Sequence, residues 1–151
     1  MKLLLNTDGG SRGNPGPAAY GYAIQNITDL DLPAGALAKE GAGIILEKCG
    51  NYLGVTTNNI AEYRGLIAGL KWVVTHHPDA ELLIKMDSLL IVNQVKGLFK
   101  VKHPGIIPLY QETQSLLSQL PHYTISYVPR SQNSLADELV NIALDNHTLA
   151  T

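Results

Sequence analysis

The chain of 151 residues is 45% hydrophobic and 16% charged, a globular composition that predicts one domain over residues 1–151 with a single core. Its apolar runs are shorter than the roughly 20 residues of a membrane span, no signal-peptide core is visible, and its one cysteine excludes an intramolecular disulfide, so we expect a cytoplasmic protein without membrane contact. The formal net charge of −2 gives no general attraction for nucleic acid, so such a partner would be held by a local patch.

The N-terminal third of the chain predicts three strands. A short apolar strand at Lys2–Thr7 stops at the Gly- and Pro-rich sequence DGGSRGNPGP, and a second strand at Ala18–Gln25 pairs back on it as a hairpin. The segment Asn26–Gly41 is predicted to be a surface excursion, and we assign it no function. Strand character resumes at Gly43–Val55, with an irregularity expected at Gly50.

The sequence TTNNIAEYRGLIAGL predicts the start of a helix. Asn58 or Asn59 can cap it, and apolar residues recur at helical spacing until His76–Pro78 ends the helix. Its first turn is predicted to carry one acid, Glu62, among small and apolar neighbours. An acid there can simply favour the positive end of the helix dipole, so this position alone does not indicate a function.

The second half of the chain predicts two strands among helices. These elements are a continuously apolar strand at Glu81–Met86, helices at Ser88–Gly97 and Pro104–Leu120, a strand at Tyr123–Val128, and a helix at Ser134–Asn146. An antiparallel hairpin combined with crossover helices predicts an α/β protein with a mixed sheet.

Topology predicts that four acids meet at one end of this sheet. Asp8 follows strand one, and Asp87 follows strand four, which runs parallel to it. Glu62 and Asp137 lie in the first turns of helices that start at the same end. Taken singly, Asp8 is an ordinary turn residue and Asp137 a solvated helix residue. Asp87 directly follows an apolar strand and is expected to be partly buried, where an unpaired charge is unfavourable.

Gathered carboxylates favour a metal site. Like charges repel one another unless they are protonated or bridged by cations. Oxygen ligands without His or Cys indicate Mg²⁺ or Mn²⁺ rather than zinc. Two such ions about 3.5–4 Å apart can activate a water and stabilise the departing oxygen of a phosphodiester. The residues therefore indicate metal-dependent phosphodiester hydrolysis.

Four segments resemble, in order and at suitable spacing, the signature blocks of type-one ribonuclease H: DGGSRGNPGPAAYGYAI, TTNNIAEYRGLIAGL, MDSLLIVNQVKG and NSLADELVNIAL. The match runs from Leu3 to Leu144. It implies the three-layer α/β fold of the RNase H-like superfamily, a mixed five-stranded sheet in the order 3-2-1-4-5 with strand 2 antiparallel, flanked by helices. It also implies an endoribonuclease that hydrolyses the RNA strand of RNA–DNA hybrids and leaves 5′-phosphate and 3′-hydroxyl ends.

The resemblance implies a role for each acid. Asp8 and Asp87 would be the central metal ligands. Glu62 would be a ligand that also orients water near the RNA strand, and Asp137 the more mobile ligand of the second ion. The implied cofactor is two Mg²⁺ ions, with Mn²⁺ able to substitute.

The resemblance also implies a hybrid duplex as the partner of a monomer, with no protein partner. Asparagines 14, 58 and 59 match positions that read the RNA 2′-hydroxyl from the minor groove, and Thr57 resembles the residue that helps hold a DNA-strand phosphate. Ser88 is interpreted as a helix cap or a minor-groove contact. The implied substrate-binding residues are Gly13, Asn14, Thr57, Asn58, Asn59, Ser88 and Asn133.

The sequence departs from the family pattern in three places. Many members carry a Lys-rich protrusion, where this chain offers Lys96, Lys100 and Lys102. The loop PRSQNS before Asp137 lacks the His that often stands there, and Arg130 or Asn133 is the candidate replacement. Val55 stands where some members have an Arg in the DNA-phosphate pocket.

Two other functions compete with this hypothesis. One is another nuclease of the same superfamily, such as a resolvase or an integrase-like protein, against which the TTNN block and the compact length argue. The other is a hybrid-binding module without catalysis, which the presence of all four acids disfavours.

Overall fold

The computed structural model of the protein describes residues 1–30 and 41–150, without the side chains of residues 148–150. Most of the predicted excursion Asn26–Gly41 lies outside the described residues. The strands are β1 Lys2–Ser11, β2 Gly16–Asn26, β3 Ile44–Thr56, β4 Glu81–Met86 and β5 His122–Tyr127. The helices are α1 Asn58–His76, α2 Leu89–Val95, α3 Ile107–Leu117 and α4 Ser134–Ala150, and a 3₁₀ turn at Arg130–Gln132 precedes α4.

The strands form one five-stranded sheet in the order β3-β2-β1-β4-β5. The pairs β1–β2 and β2–β3 are antiparallel, whereas β1–β4 and β4–β5 are parallel. This confirms the predicted order and the antiparallel strand 2. Because β1 and β4 run the same way, the residues that follow or close these strands lie at the same end of the sheet.

Helices cover both faces of the sheet, which confirms the three-layer prediction. On one face α1 packs on β1 and β2 and also against α3. The main core lies on this face, and its almost fully buried residues include Leu5, Leu66, Leu70 and Ile84. Burying each such side chain contributes roughly 1.5–3 kcal/mol before entropy is counted. On the other face α4 packs on β2 and β3. Among the described residues, every helix is too short or too polar to cross a bilayer.

Strand β1 extends beyond its predicted end. Asp8 pairs with Gly21 inside the strand, and the glycines that we interpreted as a turn continue it to Ser11. The reason lies in α1, which crosses so closely that a Cβ on Gly9 would overlap the backbone carbonyl of Ala61. The prediction that Asp8 ends the strand is therefore wrong, and Gly9 is needed to bring α1 against Asp8.

The predicted irregularity at Gly50 is also wrong. Gly50 pairs regularly with Gly21, and the two register shifts of β3 fall elsewhere, at the positions of Leu46 and Leu53. A Cβ on either glycine would meet the backbone of α4, at the carbonyl of Leu139 for Gly50. This facing pair of glycines lets α4 approach the sheet closely.

The cap of α1 is Thr57, so the prediction of Asn58 or Asn59 is wrong. The Thr57 hydroxyl accepts a hydrogen bond from the backbone N–H of Ile60 at 3.3 Å. Helix α1 begins at Asn58, and its first turn contains no acid. Glu62 therefore lies one turn further in than predicted, beside the close crossing at Gly9.

Candidate active site

Three acids from three elements form a compact group, which we call the carboxylate cluster: Asp8, Glu62 and Asp87. One carboxylate oxygen from each lies within 4.8 Å of the others. Asp8 comes from β1, Glu62 from α1 where it crosses Gly9, and Asp87 from the residue that follows β4. Two features bring these three acids together: the parallel pairing of β1 with β4, and the close crossing of α1 over Gly9, which has no Cβ.

The carboxylate cluster is unfavourable as three charged groups. Burial, and then the charge of Asp87, raises the pKa of Asp8 from its ordinary 3.8 to about 8, although the backbone N–H of Gly9 donates a hydrogen bond to it at 2.9 Å and opposes the shift. Burial and the charge of Asp8 raise the pKa of Glu62 well above its usual range. At neutral pH the group therefore holds protons or binds a cation.

The donor atoms of the carboxylate cluster suit a hard divalent cation. One oxygen of Glu62, Oε2, and one of Asp87, Oδ1, are buried without a hydrogen-bond partner among the described residues. Such atoms are costly unless a ligand satisfies them. Oxygen-only ligands fit Mg²⁺ or Mn²⁺ better than zinc or copper. The residues present therefore fit the metal that the sequence predicts.

The fourth predicted acid, Asp137, reaches the same cavity but lies outside the carboxylate cluster. It lies in the first turn of α4, as predicted. Its Oδ1 accepts a hydrogen bond from the guanidinium of Arg130 at 3.0 Å. The structure thus brings all four acids to one cavity but gives Asp137 a different partner.

The cavity around the carboxylate cluster is an open groove of about 500 Å³. Its walls are strongly polar and come from β1, α1, the start of α2 and α4. Besides the four acids the lining includes Gly9, Gly10, Ser11, Arg12, Asn58, Asn59, Ser88, Arg130, Val140, Asn141 and Leu144. Among these, Ser11, Arg12 and Asn141 are contacts that the sequence did not single out, because their proximity depends on how α4 packs on the sheet.

Two linked asparagines, which we call the asparagine wall, lie where the groove borders a second cavity: Asn58 lines the groove and Asn14 lines the second cavity. The side-chain oxygen of Asn58 accepts hydrogen bonds from the backbone N–H of Ser11 at 2.7 Å and from its hydroxyl at 3.1 Å. The side-chain oxygen of Asn14 accepts from the backbone N–H of Asn58 at 3.1 Å. Since a backbone N–H can only donate, both amide oxygens must face inward. The wall therefore offers its NH₂ groups, which are donors, to a ligand.

A second cavity of about 390 Å³, which we call the Thr57 cavity, adjoins the asparagine wall. Its lining is Asn14, Thr57, Asn59, Leu90, Gln94, Lys100, Lys102, His103 and Ile106. Asn59 lines both cavities. Lys100 and Lys102, two of the three lysines at the position of the Lys-rich protrusion, are exposed and line this cavity together with Thr57. Lys96 lies apart from them, in a different depression beside β5.

Three other predicted substrate-binding residues have different surroundings. Ser88 caps α2 by accepting from the backbone N–H of Ile91 at 3.3 Å, and it also lines the groove. Gly13 lies in the β1–β2 turn at φ +95° and lines neither cavity. The third residue is Asn133, which is fully buried.

The buried amide of Asn133 joins β1 to the start of α4. Its NH₂ donates to the carbonyl of Thr7 at 2.9 Å, and its oxygen accepts from the amide of Asn6 at 3.2 Å. Its backbone carbonyl accepts the backbone N–H of Asp137 at 3.1 Å. In this arrangement Asn133 positions α4 and has no atom exposed to a substrate.

Comparison with known proteins shows which family and which proteins the chain is similar to. A family profile described as "Reverse transcriptase-like" matches residues 6–143. The chain is 41% identical over 145 residues to the "Bifunctional protein Rv2228c" of Mycobacterium tuberculosis, a match that covers 96% of this chain and 36% of that protein. The chain thus spans about a third of the length of the curated relative.

Two solved structures are similar over nearly the whole chain. The N-terminal RNase H domain of Rv2228c from M. tuberculosis, solved as a fusion with maltose binding protein, is 40% identical with a TM-score of 0.85, and the match covers 99% of this chain and 98% of that one. LC11-RNase H1, solved in complex with an RNA/DNA hybrid, is 35% identical with a TM-score of 0.82, and the match covers 97% and 99% of the two chains.

Proposed function

The chain belongs to the ribonuclease H family, and on that premise we propose that it hydrolyses the RNA strand of RNA–DNA hybrids. The observation that carries this proposal is the carboxylate cluster, three carboxylate oxygens within 4.8 Å of one another beside an open groove. A relative 35% identical to the chain has been solved with an RNA/DNA hybrid. Because the chain spans 36% of its curated relative, the proposal concerns the activity of residues 1–151 as one catalytic unit, acting as a monomer.

We assign the metal-binding role to the four acids of the groove. Asp8 and Asp87 would be the central ligands of two Mg²⁺ ions, Glu62 would be a further ligand, and Asp137 would be the more mobile ligand of the second ion; Mn²⁺ would substitute. When bound, these cations supply the positive charge that activates an attacking water and stabilises the departing oxygen. Glu62 orients that water through whichever of its oxygens is not ligating.

The products follow from which bond breaks. The water oxygen attacks phosphorus, and the bond from phosphorus to the 3′-oxygen of the upstream ribose breaks. The phosphate therefore stays on the 5′ end of the downstream fragment, and the upstream fragment leaves with a 3′-hydroxyl that takes up one proton. No side chain of the protein forms a covalent bond in this reaction, which agrees with the use of Ser88 as a cap of α2.

The asparagine wall is suited to the RNA strand. Its two side-chain oxygens accept from backbone N–H groups, which leaves its NH₂ groups as donors for a ligand, and the 2′-oxygen of ribose is an acceptor that DNA lacks. Asn59 lies between the wall and the Thr57 cavity. We propose that all three asparagines contact the minor groove of the hybrid.

The Thr57 cavity is suited to the DNA strand. Lys100 and Lys102 place positive charge beside the Thr57 hydroxyl, which is the chemistry that a backbone phosphate requires. With these two lysines as the charge contribution, binding should fall steeply as salt is raised.

The test is cleavage of a labelled RNA–DNA hybrid with Mg²⁺, with Mn²⁺ and with EDTA. Single-stranded RNA, double-stranded RNA, duplex DNA and branched DNA serve as competing substrates. We expect cleavage of the RNA strand of the hybrid that requires a divalent cation, with 5′-phosphate ends. Cleavage in EDTA would refute the mechanism, preference for branched DNA would indicate another superfamily nuclease, and tight binding without cleavage would indicate a binding module.

A further inference from the structure

An ion pair between Arg130 and Asp137 lies in the groove, outside the carboxylate cluster. The nitrogen–oxygen distance is 3.0 Å, and the side chains are 75% and 27% exposed. Both residues line the groove together with Asp8, Glu62 and Asp87. Asp137 therefore has an internal counter-ion, whereas Oε2 of Glu62 and Oδ1 of Asp87 have no hydrogen-bond partner within the described part of the chain.

The guanidinium of Arg130 can change position, whereas the backbone of Arg130 is held in place. The backbone carbonyl of Arg130 accepts a hydrogen bond from Asn133 at 3.0 Å, and the Asn133 side chain is tied to β1. The guanidinium, by contrast, is exposed and joined to Asp137 through one nitrogen. Such an exposed pair is weak and exchangeable.

The guanidinium of Arg130 is suited to bind a phosphate of the substrate. A guanidinium has five N–H donors in a planar fork that suits phosphate oxygens, and the single hydrogen bond to Asp137 leaves most of them for another ligand. The hydrogen bond and the charge of Asp137, with smaller contributions from Asp8 and Asp87, raise the pKa of Arg130. The groove through which the scissile strand would pass therefore presents a permanent positive charge on Arg130 beside Asp137, in addition to that of Arg12, which pairs with Asp145.

We propose that Arg130 is a positioning residue that holds Asp137 away from the carboxylate cluster in the free protein and releases it when its guanidinium turns to a phosphate of the bound strand. Asp137 then becomes available as a ligand for the second cation only when substrate is present. This inference rests on the proposed function, since it assigns the order in which that same site is completed.

Manganese binding to the free protein tests the masking step without any substrate. We would count bound Mn²⁺ by electron paramagnetic resonance and titrate it by calorimetry for the native protein and for Arg130→Gln. Removing the counter-ion should tighten the weaker Mn²⁺ site by up to about fivefold and leave the tighter site unchanged. The matched control is Arg64→Gln, which removes the same charge from an exposed position on α1 outside both cavities.

Two further variants decide whether the effect acts through Asp137. In Arg130→Gln combined with Asp137→Asn, the gain in Mn²⁺ affinity should vanish relative to Asp137→Asn alone. In Arg130→Lys, which keeps the charge without the fork, the weaker site should stay weak while the KM for hybrid rises. These results would support the inference.

An unchanged or weaker second site in Arg130→Gln, or the same gain in Arg64→Gln, would overturn the inference. So would an Arg130→Gln effect that persists in the Asp137→Asn background. Failure of the native protein to cleave hybrid is a separate result, because it would refute the proposed function while the Mn²⁺ titration still decides whether Arg130 masks Asp137.

Discussion

The carboxylate cluster and the neighbouring asparagine wall are built in opposite ways. In the cluster, burial and mutual repulsion raise the pKa values of Asp8 and Glu62, and one oxygen each of Glu62 and Asp87 lacks a hydrogen-bond partner among residues 1–30 and 41–150. In the wall, each amide oxygen is already engaged by backbone donors. The proposed reacting end is thus unfavourable until a ligand binds, whereas the hydrogen bonds of the proposed recognition surface are already formed in the free protein.

The difference teaches how one groove can combine affinity for metal with selectivity for substrate. Unsatisfied buried oxygens gain the most when a cation binds, and a rigid donor array loses little entropy when a substrate binds. Substitutions in the cluster should therefore lower the cleavage rate and raise the free energy of unfolding of the metal-free protein. Substitutions in the wall should weaken substrate binding and leave the free energy of unfolding unchanged.

The largest effect should come from Asp87→Asn. It removes the charge of a central ligand and should lower the cleavage rate by at least about a hundredfold. It also relieves the repulsion that Asp87 exerts on Asp8, so the free energy of unfolding in EDTA should rise by about 1 kcal/mol. Cleavage assays and urea unfolding measure the two effects.

The control for Asp87→Asn is Asp79→Asn, at an exposed acid in the turn after α1, which should change neither quantity. Full activity in Asp87→Asn would show that Asp87 is not a required metal ligand, and loss of activity together with a large loss of stability would show that Asp87 is a structural residue.

Metal should stabilise the folded protein, and more so as pH rises. Asp8 has an ordinary pKa of 3.8 and a folded pKa of about 8, so between these values the folded state holds protons that the unfolded state releases. The metal-free protein should therefore lose stability as pH rises from about 4 to 8. Mg²⁺ at a hundred times its Kd adds about 2.7 kcal/mol, and its benefit should be larger at pH 8 than at pH 5.

Thermal unfolding with Mg²⁺ and with EDTA at the two pH values measures this dependence. A Tm that Mg²⁺ leaves unchanged, or a metal-free protein that gains stability over that range, would contradict the view of the cluster as an unfavourable group awaiting a cation.

A matched pair of glycine substitutions tests whether the close crossing of α1 over β1 positions the carboxylate cluster. In Gly9→Ala the new Cβ meets the backbone of Ala61 and Glu62, so α1 must shift, at a cost of about 2 kcal/mol of stability, and Glu62 moves with it. In Gly10→Ala the nearest atoms, on Val140 and Asn58, are 3.8 and 3.9 Å away, so the substitution should be tolerated.

Urea unfolding and Mn²⁺ titration compare the two glycine variants. Equal stability and equal Mn²⁺ affinity would show that the crossing at Gly9 does not position Glu62.

The smallest effect should come from Asn58→Asp, which changes the wall without changing its shape. A carboxylate can still accept from Ser11, but it presents an acceptor where the amide presented a donor. We expect the KM for hybrid to rise by about tenfold through the lost hydrogen bond and repulsion of phosphate, with kcat and stability little changed.

The control for the wall is Asn51→Asp. Its amide donates to the hydroxyl of Tyr20 at 3.2 Å on the β2–β3 surface, outside both cavities, so the same change of charge there should leave the KM unaltered. A similar rise in both variants would mean that net charge, rather than the donor of Asn58, decides binding.

Local patterns predicted much of the fold and the participants of the site. Strand β4 has the predicted bounds Glu81–Met86, and α1 ends before Pro78 as predicted, because apolar runs and helix breakers act over a few residues. The order of these elements sufficed to predict a mixed sheet with four acids at one end, whereas the strand order came from the family resemblance. Such features depend on neighbours in the chain and on common rules of connection.

The sequence by itself therefore determined that the four acids meet at the groove. Only the tertiary structure decided which further residues line the groove and which atoms each residue meets. Thr57 caps α1 because the side chain of Asn58 is used by Ser11, 47 positions away. Asp137 is held by Arg130 rather than by the cluster, and Asn133 is buried against β1. Hydrogen bonds and ion pairs form within about 3 Å, a distance that is set only when β1, α1 and α4 have packed together.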